Sequence, residues 1–450
     1  MAPRYDRPSL PVPDRYPSDA PVPAGAPVEA VTPLDWHQVF VDPALQSVIE
    51  TSLHNNRDLR RAVLQVSEAR AQWSVAGASR WPGINGNAVG ARARIPEGEV
   101  PGLGGVISAY EIAASASWEL DFWGRVRNLD TAALESYLAT DAARRAFTIS
   151  LAAQVADAWL QQRELDDRIA LAQASIVTRT ETFRIFRRRY EEGSGNRLEL
   201  TQAETLLTQA QALGKQLEQA RAINHHALSL LMGVPASTDL RAVTFDTQES
   251  VRVVAAQLPS ALLTQRPDIL AAEHRLKAAH ANIGAARAAF FPQVMLTGSI
   301  GTASSQLDGL FDAGTRTWAF LPTITVPIFN AGRLRSNLEL ARVRRDIAVA
   351  GYEATIQGAF RDVADALSAQ QSLTEQVDIQ RRALKALTER ARLAQLRYDS
   401  GAATYLEVLD AQRDLLVTQQ TLVQTQRAVQ STRVSLFAAL GGGSLGESGS

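Results

Sequence analysis

The chain has 450 residues, 46 basic and 47 acidic side chains, and no cysteine. The near balance of charge leaves no basic footprint for nucleic acid. The missing thiols exclude disulfides, thiolate metal sites and a cysteine nucleophile. No run approaches the roughly 18 uninterrupted apolar residues of a membrane-spanning helix.

The opening, MAPRYDRPSLPVPDRYP, has no basic stretch followed by an apolar one, so it does not read as a signal peptide. Residues 1–33 hold nine of the 19 prolines with few apolar residues between them. Residues 1–35 are therefore expected to be a Pro-rich extended arm, either a solvated linker or a strap pinned on the body. From Asp58 to Arg80 the pattern is helical, and Trp81-Pro82 stops it. Two extended runs follow. In the second, Tyr110, Ile112, Ala114, Ala116, Trp118, Leu120 and Phe122 alternate with small or polar residues. That is the period of a strand with one greasy and one wet face. A helix of about 66 residues then runs from Arg125 to Tyr190, roughly 100 Å at 1.5 Å per residue. A polar turn, EEGSGN, leads into a return helix over about Arg197–Leu231.

The same order then repeats. A helix over Pro267–Ala289 ends at Phe291-Pro292, and Trp318, Phe320, Ile324, Val326 and Ile328 mark a second alternating strand. A long helix spans Arg333–Tyr398, a turn carries Gly401, and a return helix runs Tyr405–Leu440. RYEEGSGNRLEL at Arg189 and RYDSGAATYLEV at Arg397 are copies of one turn, and WGRVRN is a copy of AGRLRS. Both pairs stand at one constant offset, so the chain is a duplicated supersecondary unit. Heptads through Ile169, Ile176, Phe183 and Tyr190, and through Val377, Leu384, Ala391 and Tyr398, mark coiled-coil seams.

The division expected is an arm (1–35), a first repeat (36–232), a linker (233–258), a second repeat (259–443) and a tail (444–450). Strands of about 9–11 residues suit a tilted span of a bilayer. Four strands cannot close a membrane barrel, because open edges leave backbone groups unpaired in lipid. Transmembrane strands here require several copies.

These features resemble the TolC/OprM-type outer-membrane factors, lipoprotein branch. The most specific stretch is LPSALLTQRPDILAAEHRL (Leu258–Leu276), followed by RYDSGAATYLEVLDAQ and GRLRSNLELA. The resemblance covers about Trp36 to Gly443. It implies a mainly helical fold with transmembrane β-structure. Long-helix coiled-coil hairpins and four strands per protomer would assemble as a homotrimer. A twelve-stranded barrel in outer-membrane lipid would continue into a helical periplasmic tunnel, with the linker and tail as an equatorial collar. It implies the exit duct of a tripartite multidrug efflux pump, with no cofactor. The implied partners are a periplasmic membrane-fusion adaptor and, through it, an inner-membrane pump of the proton-driven RND type. The opening APRYDRP is similar to a mature lipoprotein start, so a lipid anchor on a preceding cysteine is expected.

By the same resemblance Leu406, Glu407 and Asp410 line the tip constriction as its gate. Asp410 lies one turn after Leu406, so three copies would stack an apolar and an anionic ring. The plainer alternative is that the two carboxylates complement the helix dipole. The first tip has Leu198 and Gln202 at the matching positions and is expected to be scaffold and docking surface. Tyr190, Gly193, Leu198, Glu199, Arg397, Tyr398 and Gly401 are the expected latch and adaptor-docking residues. Ala403 stands where one branch has an arginine latch. Trp81, Tyr110, Trp118, Phe122, Trp318 and Phe320 are expected at the membrane interface.

No enzyme is indicated. The six histidines include no pair at the i,i+4 spacing of a helical zinc site, and no phosphate loop occurs. The alternatives are the outer-membrane channel of a type I secretion system, a soluble coiled-coil adaptor, which would have a single hairpin, and a pore-forming toxin. The exported cargo is not legible.

Overall fold

Glycine and proline punctuate the chain where its hydrophobic period changes, and the elements follow that punctuation. The computed structural model describes residues 2–9, 11–13, 16, 35–96, 105–236, 250–253 and 266–443. Most of the expected arm, most of the linker 233–258, the tail 444–450 and the first part of the Leu258–Leu276 signature lie outside the described residues. In chain order the elements are α1 (Trp36–Val39), α2 (Pro43–Asn55), α3 (Arg57–Ala78), β1 (Gly83–Ile95), β2 (Gly105–Leu120), α4 (Arg125–Glu191) and α5 (Arg197–Met232). They continue with α6 (Pro267–Ala288), β3 (Gln293–Ser304), β4 (Arg316–Thr325), α7 (Arg333–Asp399) and α8 (Tyr405–Ala439). The set from α3 to α5 is repeated from α6 to α8, and α4 and α7 are each 67 residues long. Among the described residues no helix is long and apolar enough to cross a membrane.

Two units divide the chain. The first comprises Met1–Ser9, Leu64–Asp141 and Ala271–Ala354. It holds one antiparallel sheet in the order β1-β2-β3-β4. Its register aligns Ile84, Ala116, Gly298 and Phe320 in one row, and Gly86, Ala114, Ile300 and Trp318 in the next. Even-numbered residues therefore share one face through all four strands. That face carries Ile84, Tyr110, Ile112, Trp118, Leu296, Ile300, Trp318, Phe320 and Ile324. The odd face carries Asn85, Asn87, Glu111, Ser115, Ser117, Thr297, Ser299, Thr317 and Thr323. On it the Asn87 amide donates to the Ser115 hydroxyl at 2.9 Å.

Three strand ends differ from expectation, and one of them is the close of β2 at Leu120, two residues before Phe122. β2 starts at Gly105, ahead of the alternating run, because Gly105–Ala109 pairs with Ala91–Ile95 of β1. β4 stops at Thr325 although alternation continues to Ile328: β3 begins at Gln293, just after Pro292, so nothing is left to pair with Val326 and beyond. In the same unit, residues 2–9 are pinned as a strap. Arg7 forks onto Glu273 of α6 at 2.8 and 3.0 Å, and the Tyr5 hydroxyl donates to the same carboxylate at 3.1 Å. Glu273 is 3% exposed. Burial pushes its carboxyl up, but the bonds and charges of Lys277 and Arg7 outweigh that and hold it below the usual range.

The second unit comprises Leu10–Val63, Ala142–Leu270 and Thr355–Ser450. The heptad positions fill its seams. Leu165, Ala172 and Leu217 form one cluster, and Val377, Leu422 and Val429 another. α1 and α2 were not legible in the sequence. Asp42 caps α2 through the N–H of Ala44, and Pro43 occupies its first turn. Ser52 and Asn56 both donate to the carbonyl of Leu231, at 2.8 Å each, and satisfy the end of α5. Charges gathered on the buried Glu164 join α4 to α8. Arg427 lies 2.7 Å from Glu164 and 3.1 Å from Asp157, and Arg168 bonds Glu164 at 2.8 Å.

Candidate functional site at the hairpin tips

Both tips are built by one backbone device. At the end of α4 the N–H of Gly193 donates to Tyr190 and that of Ser194 to Arg189. At the end of α7 the N–H of Gly401 donates to Tyr398 and that of Ala402 to Arg397. This crossed pair of bonds requires a left-handed residue, and Gly193 and Gly401 have φ of 74° and 75°. The helix starts differ. Asn196 caps α5 through the N–H of Glu199 at 2.8 Å, whereas Thr404 makes no side-chain cap for α8.

The two hairpins pack on one apolar cluster. Phe186 and Ala203 of the first meet Ala394, Tyr405, Val408, Leu409 and Ala411 of the second. Tyr405 is its centre, with ring centroids 4.6 Å from Phe186 and 4.8 Å from Tyr398. Its hydroxyl lies 3.0 Å from that of Thr182. Burial raises the Tyr405 phenol above its ordinary value, so it stays neutral at any physiological pH. Above the cluster, Arg189 donates to the Tyr398 hydroxyl at 2.6 Å and ties α4 to α7.

The expected gate residues lie on one side of α8, Leu406 and Glu407 exposed and Asp410 half-buried, with Val408 and Leu409 on the buried side. Leu406 is 48% exposed and makes no part of the cluster. Glu407 is bound back across the turn by Arg397 at 2.9 Å. Asp410 pairs with Arg413 at 3.3 Å, and Arg413 also reaches Asp414, which Arg390 bonds at 2.8 Å. The face is therefore an alternating ladder of charge. In the first hairpin Leu198 and Tyr190 are exposed, and Glu199 contributes its N–H to the cap.

Sequence reasoning named Arg397 and Tyr398 as latch residues and put Phe186 on a coiled-coil seam, where it is buried, but gave no tip role to Arg189, Thr182 or Tyr405. Arg189 could have been found, because it heads the first copy of the same Arg-Tyr motif. The Asp410–Arg413 pair has plain i,i+3 spacing.

At the sheet, the six expected interface aromatics fall into two groups. Trp81, Trp118 and Phe122 stand at the end where the helices attach, and the Trp118 indole donates to the Arg80 carbonyl at 3.0 Å. In the second group Tyr110 stands toward the loop end, whereas Trp318 and Phe320 lie mid-sheet, in the rows of Ala114 and Ala116. Trp81 and Trp318 are 75% and 79% exposed.

A family model described as outer membrane efflux protein matches residues 48–234 and again 258–442. The chain belongs to that family. OprJ, an outer membrane protein of Pseudomonas aeruginosa, is 42% identical over 452 residues, covering 98% of this chain and 92% of that protein. The cation efflux system protein CusC of Escherichia coli is 41% identical over 446 residues, covering 98% and 95%. The open-state structure of the Neisseria gonorrhoeae MtrE outer membrane channel matches with a TM-score of 0.87 at 38% identity, over 98% of both chains. The two matched segments are the two structural repeats. As an outer membrane efflux protein, the chain is the outer-membrane exit duct of an efflux system, with part of its mass in the periplasm.

Proposed function

We propose that three copies close a twelve-stranded barrel in the outer membrane, and that the hairpin tips form a gate docked by a periplasmic adaptor. The sheet carries this reading. Its even face is mostly apolar with aromatics along it, its odd face is richer in polar residues, and among the described residues both its edges, β1 and β4, are unpaired. Three sheets joined edge to edge satisfy every strand and turn the polar face inward. The duct is passive, and cargo is chosen by an inner-membrane pump of the RND type acting through the adaptor. Relatives named for cation, toluene and solvent efflux favour this over a type I secretion channel. Antibiotics are the cargo to test first.

At the tip, Arg189–Tyr398 is the latch between hairpins and Arg397–Glu407 stiffens the second turn. Leu406 and Asp410 line the constriction, and the first tip serves as scaffold and docking surface. The test is extraction in detergent followed by cross-linking and single-channel recording. A trimer that conducts in planar bilayers is expected, and a monodisperse monomer without conductance refutes the assembly.

A further inference from the structure

Charge in the sheet is sorted by face. The strands hold three arginines, Arg92 and Arg94 of β1 and Arg316 of β4, and all three are even-numbered. They therefore share the apolar face, which has no acidic residue on any of its four strands. The strand glutamates, Glu111 and Glu119, lie on the odd face, where Glu119 is bonded by Arg125 at 2.9 Å. The arginines also share one end. Arg92 and Arg94 come near the close of β1, and Arg316 opens β4. All three are exposed. Glu97 and Glu99, which follow β1 in the sequence, lie outside the described residues.

An arginine on the lipid side of a barrel costs about 2–4 kcal/mol at mid-bilayer and little at the interface. The register sets the level. Arg92 is opposite Ser108, and Trp118 lies about ten residues further along β2. At about 3.4 Å per residue and a tilt near 40°, that separation rises about 26 Å, close to the height of an apolar barrel band. Arg92 and Arg94 thus stand where the hydrocarbon ends. Barrel strands are staggered, which brings the start of β4 to the same level. The helices leave at the opposite, periplasmic end, so this level is the outer leaflet.

We propose that Arg92, Arg94 and Arg316 form a binding site for the phosphates of the phosphorylated glycolipid of the outer leaflet. Guanidinium forks match phosphate oxygens bidentately, and the face offers no carboxylate from its own strands to compete. Where barrel closure sets β4 of one copy beside β1 of the next, each site joins two subunits. The proposal rests on the trimeric reading above.

The test is native mass spectrometry of the detergent-extracted trimer titrated with bisphosphorylated lipid A, dephosphorylated lipid A or phosphatidylglycerol. The R92Q/R94Q/R316Q variant is compared with the parent, and R92K/R94K/R316K keeps charge without the fork. Lipid A retention is expected to fall roughly tenfold or more in the glutamine variant and partially in the lysine variant. Dephosphorylated lipid A and phosphatidylglycerol are expected to bind the parent weakly. Equal lipid A retention by parent and glutamine variant, or equal binding of the dephosphorylated form or phosphatidylglycerol, overturns the site. Cross-linking and conductance are recorded on the same samples. Loss of the trimer in the parent refutes the assembly itself, whereas an intact trimer with unchanged adducts refutes only the lipid site.

Discussion

Tyr398→Phe removes one oxygen and leaves a ring able to pack on Tyr405 at 4.8 Å. The lost interaction is the 2.6 Å bond from Arg189. That bond is surface-exposed, so its net worth is set at about 1 kcal/mol, the middle of the range for a single hydrogen bond. On the proposed trimeric reading, three latches that open as a unit sum to about 3 kcal/mol, which shifts the closed-to-open ratio roughly a hundredfold. Single-channel recording reads this directly as a rise in open probability. In cells, the same change is expected to raise sensitivity to large antibiotics. Arg189→Ala should behave alike, and the double variant should add little, because both remove one bond. An open probability equal to that of the parent in both single variants refutes the latch.

Asp410→Asn leaves Arg413 with Asp414 alone, so the constriction gains net positive charge. The reversal potential across a salt gradient is expected to move away from cation preference, and an unmoved potential refutes a lumen-facing Asp410. Glu273→Gln is expected to free the strap of residues 2–9, seen as faster proteolysis of the N-terminus. Acid should do the same to the parent. The Glu273 carboxyl is held below its unfolded value, so its contribution is complete above the ordinary carboxylate range and is lost as pH falls through the folded pKa. A strap equally protected at pH 7 and pH 3 sinks that assignment. Phe186→Ala opens a cavity beneath the tips, at a cost of about 3–5 kcal/mol in a typical core. Amide exchange over Thr182–Tyr190 should accelerate while that of the sheet stays unchanged.

The long helices were legible because each is bounded by glycine or proline and written twice. β2 and β4 were legible from alternation. β1 and β3 were legible only as irregular extended runs over about Trp81–Arg94 and Phe291–Thr302; Gly83, Gly86 and Gly90 interrupt the pattern of β1, and its pairing with β2 assigns its faces. The stretch of the second repeat that would match α1 and α2 lies almost wholly outside the described residues. At the tips the turn glycines were plain, since backbone geometry demands them. The Arg189–Tyr398 bond was not, because it joins residues 209 apart, on different hairpins. Arg427 of α8 meets Asp157 and the buried Glu164 of α4, and helical spacing within either helix does not reveal that contact.

The open edges of the sheet have a genetic consequence. If three sheets complete the duct, as proposed, it is inherited as a collective property of its subunits. A variant that folds its strands normally but carries a jammed tip still enters every ring it meets. With the two alleles expressed equally and mixed at random, roughly one trimer in eight is wholly wild type. Tip lesions should therefore be dominant in a partial diploid. Lesions that destroy the sheet should be recessive, because such chains never join a ring.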